Sequence, residues 1–114
     1  MMFYDFLNRV SSLSIRKVLN IALVQLSYFL SVLLKKPLVW GEPFFISLEP
    51  AAICNLACPQ CPTGTGDIKR SKKFMDLNTY KDIVDETART TAILSLYHQG
   101  EPLLHKSFAD MVKY

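Results

Sequence analysis

The sequence predicts an α/β fold: a strand–helix–strand unit with parallel strands, preceded by a helical arm. Three observations predict it. Two short runs rich in aromatic, aliphatic and β-branched residues, Phe44 to Glu49 and Ala92 to Tyr97, enclose a segment of helical periodicity that begins at Leu77. An apolar run from Val18 to Leu34 precedes them. All three cysteines stand together directly after the first strand, spaced Cys54-x3-Cys58-x2-Cys61.

At 114 residues, half of them hydrophobic, the chain suits one small domain with a buried core and is too apolar for disorder. It divides at Pro43 into an arm over 1–43 and an α/β part over 44–114. The net charge of +3 resides in the arm, where Arg9, Arg16, Lys17, Lys35 and Lys36 oppose only Asp5 and Glu42. Beyond Pro43 bases and acids cancel. No basic block with interleaved aromatics occurs, which argues against nucleic acid as a partner. An odd, clustered set of cysteines suits metal ligation in a reducing, cytoplasmic setting better than a disulfide framework. The arm is not read as a secretory signal: its apolar run starts late and ends in Lys35-Lys36-Pro37, not in a small-residue cleavage site.

Within the arm, Lys17, Asn20, Ser27, Ser31 and Lys35 recur at helical spacing and form a narrow polar stripe, with Val24 the apolar break in it and Gln25 beside it. Three readings compete. The helix packs on the rest of the protein by its broad apolar face, or it lies in the plane of a membrane with its lysines at the headgroups, or it spans. A span takes roughly 20 apolar residues, and Arg16-Lys17 and Lys35-Lys36 at the two ends give no orientation signal. Lys36-Pro37 ends the helix, since a residue before proline avoids the helical conformation.

Phe44 to Glu49, bounded by Pro43 and Pro50, reads as a largely buried strand. The cysteine loop follows, kept irregular by Pro59, Pro62, Gly64 and Gly66. Lys69 to Lys73 reads as a solvated basic turn. Asp76 is placed to cap a helix from Leu77 to about Arg89. Its inward face is Leu77, Tyr80, Ile83, Val84 and Ala88, and Lys81, Asp82, Asp85, Glu86 and Arg89 face water. After the second strand come His98-Gln99-Gly100-Glu101-Pro102, then a helix from about Lys106 carrying Phe108, Met111 and Val112. A crossover helix makes the two strands parallel, so both following loops emerge at one sheet edge, where α/β folds place their sites. Two strands cannot close a barrel, which takes on the order of 200 residues, so the chain reads as the front of a longer protein.

Three clustered thiolates can hold an inorganic centre. Zinc would need a fourth ligand from His98 or His105, and an electron-transfer cluster ordinarily takes four cysteines. A [4Fe-4S] cluster on three cysteines leaves one iron open, and the amino and carboxylate groups of an amino acid can chelate it. If that amino acid is the methionyl end of S-adenosylmethionine, one electron from the reduced cluster can break a C–S bond. A 5′-deoxyadenosyl radical, able to abstract hydrogen from carbon, results.

The triad after a first strand, with Gly100-Glu101-Pro102 after a second, resembles the radical S-adenosylmethionine superfamily. The phrases CNLACPQCPTG and YHQGEPLLHKSFADMVKY resemble its SPASM-type branch, which includes peptide-modifying enzymes. The resemblance covers roughly Phe44 to Tyr114. It implies a partial (β/α) barrel of the TIM type, in which Cys54, Cys58 and Cys61 ligate a [4Fe-4S] cluster. It also implies that Gly100 and Glu101 lie beside the amino group of S-adenosylmethionine, with Glu101 accepting its hydrogen bond, Pro102 shaping the turn and Gln99 lining it. An electron donor such as flavodoxin or ferredoxin is implied as a partner. Gln60 and Gln99 stand where the family often has an aromatic and a small residue. Glu49 either faces this site or caps the loop; His98 and His105 are read as loop residues outside it, and Tyr97 as packing. The rival reading is a non-catalytic metal-binding or membrane-attached interaction module.

Overall fold

The computed structural model describes residues 13–67, 71 and 73–114. Its elements are α1 (Ile15–Leu34), β1 (Phe45–Ser47), α2 (Leu77–Thr87), β2 (Ile93–Ser95), a 3-10 turn (Pro102–Leu104) and α3 (Phe108–Lys113). Two compact units compose the chain, Met1–Ile46 with Thr87–Ile93, and Ser47–Glu86 with Leu94–Tyr114.

In the first unit, α1 begins ahead of Val18 because Ser14 supplies a cap, its hydroxyl accepting the Lys17 N–H. It ends at Lys35, which takes a left-handed conformation (φ 51°) just before Pro37. The polar stripe is the covered side of this helix. Asn20 and Ser27 are buried, whereas Ile15, Phe29 and Leu33 are 79, 67 and 76 % exposed. Of the three readings of this helix, packing by its broad apolar face is not the one found among the described residues.

The reason is the connector. Residues 38–42 run beside α1, and their peptide groups need partners. Asn20 donates to the Glu42 carbonyl and accepts the Glu42 N–H, both at 2.9 Å. Ser31 Oγ accepts the Leu38 N–H at 2.8 Å and lies 3.0 Å from the Leu38 carbonyl. Only polar side chains can answer a polar backbone, so the stripe turns inward. Gly41 makes the approach possible: at its φ of +138° a Cβ would sit 2.9 Å from Val24 Cγ2 and 3.0 Å from Asn20 Oδ1.

The two strands pair in one sheet. Phe44 accepts the N–H groups of Ala92 and Ile93 at 2.8 and 3.1 Å, and the Leu48 N–H donates to Ser95 at 2.8 Å. Pairing thus advances in the same direction along both strands, the parallel arrangement expected of a crossover. Each strand is shorter than its hydrophobic run, and burial of the first is not found: Phe45 and Ile93 are both 52 % exposed. A two-stranded sheet gives each strand one bonded neighbour and leaves its faces open.

In the second unit, Asp76 caps α2 as its position predicts, Oδ2 accepting the N–H groups of Asn78 (2.9 Å) and Thr79 (3.1 Å). Tyr80 is the buried member of the inward face, and its hydroxyl donates to the Met111 carbonyl at 2.8 Å. Of the three apolar positions expected on α3, Met111 is fully buried, Phe108 is half-buried and Val112 is exposed. The Tyr114 hydroxyl donates to Asp85 at 2.8 Å, and that bond holds its phenol above the ordinary value of 10.

The Asn20–Glu42 clamp is open to test. Asn20→Ala should lower stability by about 1–3 kcal/mol, because it strands two backbone groups. Leu33→Ala, on the exposed side, should stay within about 0.5 kcal/mol. Thermal unfolding followed by circular dichroism reads both; the reverse order would mean that the apolar side is the packed one.

Candidate functional site

The site grows from the segment that leaves β1. Pro50 and Ala51 are fully buried, and the backbone on either side of them is held from two directions. On one, Ala51 forms an antiparallel bridge with Phe74. The Met75 N–H donates to Pro50 at 2.8 Å, and the Ala52 N–H to Lys73 at 2.9 Å. His105 braces this bridge. Its Nδ1 accepts the Ser107 N–H at 3.1 Å, which leaves the ring proton on Nε2, 2.8 Å from the Met75 carbonyl. Its ring meets Phe74 edge-on. His105 is thus a structural residue, as the sequence suggested; His98 and Tyr97 are exposed, so the packing expected of Tyr97 is not found.

From the other direction comes the loop after β2. The Glu101 N–H donates to the Ile53 carbonyl at 2.8 Å, one residue before Cys54. Gly100 passes so close that a Cβ on it would lie 1.7 Å from the Ala51 carbonyl oxygen. Here glycine is demanded by the approach of two backbones, with no positive φ involved. Glu49 closes the arrangement: its Oε1 accepts the N–H groups of Gln99 (3.0 Å) and Gly100 (2.9 Å). Of the two roles the sequence left open for Glu49, holding the loop is the one found. A carboxylate ending the first expected strand, with a glycine in the loop after the second, was the available signal. Pro102 starts the 3-10 turn, and Glu101 caps it, Oε1 accepting the Leu103 N–H at 3.1 Å. A carboxylate has about four acceptor positions, so the cap leaves capacity for a ligand amine.

The cysteine loop folds on itself. The Cys61 N–H donates to the Cys58 carbonyl at 3.1 Å, and the Thr65 N–H to the Cys61 carbonyl at 2.9 Å. Gly64 nests against Cys58, where a Cβ would come within 2.8 Å of its nitrogen and 2.9 Å of its oxygen. The Leu56 N–H points at Cys54 Sγ, 3.4 Å away. The amide of Gly64, and then that of Thr63, draws the Cys61 thiol below its ordinary value of 9.0 and favours the thiolate. None of the three cysteines is in a disulfide; Cys54 and Cys61 are half-buried and Cys58 is exposed. Among the described residues, no group of three His, Cys, Asp or Glu side chains is gathered closely enough to hold a metal ion. The donor set nonetheless suits a thiolate-bound centre, with three sulfurs on one tight loop and backbone N–H groups turned toward two of them. Gln60 is exposed beside them. Of the basic turn Lys69 to Lys73, only Ser71 and Lys73 lie within the described residues.

Over 72 residues the chain is 32 % identical to the mycofactocin maturase MftC of Mycolicibacterium smegmatis, a match covering 63 % of this chain and 18 % of that protein. The MftC of Mycobacterium tuberculosis matches to the same extent. The PqqA peptide cyclase of Bradyrhizobium diazoefficiens is 28 % identical over 75 residues, covering 66 % of this chain and 20 % of that protein. The chain thus spans about a fifth of the length of the curated relatives it matches. No family model and no solved structure matches. The similarities bear out the resemblance to the radical S-adenosylmethionine superfamily.

The junction makes a prediction that needs no cofactor. Gly100→Ala should destabilise the protein by about 1–3 kcal/mol through overpacking against Ala51. Glu49→Ala should speed hydrogen exchange at the Gln99 and Gly100 amides, and Glu49→Gln, which keeps an oxygen acceptor, should speed it less. Equal exchange in all three proteins would remove Glu49 from its holding role.

Proposed function

We propose that this chain is the front part of a radical S-adenosylmethionine enzyme of the SPASM-type branch, built on a partial (β/α) barrel and acting on a peptide or protein. The observation that carries the reading is the junction of the two loops. The Glu101 N–H bonds to Ile53, immediately before Cys54, so the Gly-Glu-Pro turn and the cysteine loop share one anchored backbone. The similarity to a maturase and a peptide cyclase supports the substrate class.

In this reading Cys54, Cys58 and Cys61 hold a [4Fe-4S] cluster. When bound, it supplies one electron and an open iron position, for reductive cleavage of S-adenosylmethionine and hydrogen abstraction by the 5′-deoxyadenosyl radical. The rest falls to the chain's own groups. Glu101 accepts the amine of S-adenosylmethionine, Gly100 brings backbone close to it, Gln99 lines the turn and Pro102 fixes its shape. Glu49 holds the Gln99 and Gly100 amides so that the turn is set before the cosubstrate arrives. A flavodoxin or ferredoxin supplies the electron, in the reducing cytoplasm where exposed thiols persist.

The test is anaerobic reconstitution of the full-length protein with iron and sulfide. A reducible cluster should form, with an EPR signal that changes on adding S-adenosylmethionine. Cys58→Ser should abolish the cluster. Glu101→Ala should keep the cluster but weaken the S-adenosylmethionine response by about tenfold, the worth of one charge-assisted hydrogen bond. A colourless protein carrying one zinc would instead identify a non-catalytic metal-binding module.

A further inference from the structure

The apolar face of α1 has no partner among the described residues, and its surroundings specify one. The helix runs for 20 residues, and within it an 18-residue window has a mean hydropathy of 1.7 with 11 % of the window buried. Ile15, Leu19, Leu26, Phe29 and Leu33 are all half or more exposed and recur at helical spacing, so they form one continuous surface. The opposite stripe is already engaged, through Asn20 and Ser31, by the backbone of residues 38–42. Arg16 and Lys17 stand at one end and Lys35 and Lys36 at the other, with no acidic residue between them. An apolar helix whose charged residues are all cations, placed at its two ends, complements an anionic lipid surface.

We propose that α1 docks the protein in the plane of an anionic membrane. Its apolar face enters the headgroup–acyl boundary, and Arg16, Lys17, Lys35 and Lys36 reach the phosphates. The geometry favours lying flat over spanning, although the helix is long and apolar enough to cross. Asn20, a quarter of the way along α1, is bonded to both backbone groups of Glu42, and the Glu42 carboxylate accepts the Thr90 hydroxyl at 2.8 Å. A spanning α1 would carry this carboxylate and the peptide groups of the connector into hydrocarbon, where each is costly. In the plane, the connector stays on the water side. Tyr28, 62 % exposed at the border of the apolar face, suits the interfacial level. This inference does not depend on the chemistry proposed for the cysteine loop.

Flotation of the whole chain with vesicles tests it. The protein should rise with vesicles of phosphatidylcholine mixed with phosphatidylglycerol, and far less with phosphatidylcholine alone. Leu26→Asp, on the exposed face, should weaken binding by about tenfold or more while leaving the helical circular dichroism unchanged. Arg16→Glu with Lys36→Glu should do so by at least about tenfold, and added salt should mimic it. Trp40, the single tryptophan, reports depth: bromine near the lipid headgroups should quench it more than bromine deep in the acyl chains. No flotation with either vesicle overturns the proposal, as does flotation that both variants leave unchanged. Stronger quenching by deep bromine overturns the in-plane orientation. A protein that stays unbound but forms dimers that Leu26→Asp dissociates would assign the face to a second copy and overturn the lipid reading.

Discussion

The passage of Gly100 against the Ala51 carbonyl is the constraint on which the candidate site depends. Two backbones can approach so closely only if one lacks a Cβ, and the hollow that a Cβ would need is filled by Ala51 itself. Once there, the chain after Gly100 is committed: the Glu101 N–H meets the Ile53 carbonyl, and Glu49 receives the two preceding amides. Each hydrogen bond contributes about 0.5–1.5 kcal/mol net, more where a carboxylate is the acceptor. Together they fix the start of the cysteine loop relative to the Gly-Glu-Pro turn.

A similar principle, satisfaction of backbone polar groups by whichever side chain is at hand, explains the first unit. Apolar burial would contribute about 25 cal/mol for each Å² covered, and the apolar face of α1 offers ample area. Yet the covered face is the polar one, because the connector brings peptide groups that the apolar face could only strand, at about 1–3 kcal/mol each. Asn20 answers two such groups at once. The apolar face is left outward among the described residues, the side that the proposed membrane contact would use.

Much of this was legible in the sequence, for physical reasons that also mark where legibility ended. Asp76 was readable as a cap because capping is local, settled by a carboxylate and the next two amides. The parallel pairing of β1 and β2 was readable from order alone, since a crossover helix permits little else. The strand cores around Ile46 and Leu94 were legible, but their burial was not, because burial depends on what covers a face. The orientation of α1 was left open among three readings for a related cause. Its stripe gives the axis of amphipathicity, whereas its direction depends on the neighbour, a connector whose needs are backbone needs and so invisible in side-chain patterning. Glu49 was half legible: a charged residue ending a strand demands a role, but its partners lie some fifty residues away at Gln99 and Gly100.

The same reasoning separates the two halves of the candidate site. The Gly-Glu-Pro side is made of backbone donors and acceptors of opposite partial charge, which attract one another and assemble with folding. The cysteine side consists of groups that repel once ionised. Two thiolates about 4 Å apart oppose each other by roughly 4 kcal/mol at an effective dielectric near 20, more than any one hydrogen bond in the loop returns. Amides that draw Cys61 toward its thiolate sharpen the conflict. In the proposed reading a cationic centre would relieve that repulsion, so ligand assembly would be coupled to metal binding. Folding alone sets the Gly-Glu-Pro turn through its backbone bonds, and the three cysteines share one loop. In the proposed reading, the turn anchored by Ile53 and Glu49 is the fixed reference beside which the cysteine loop would close on the cluster.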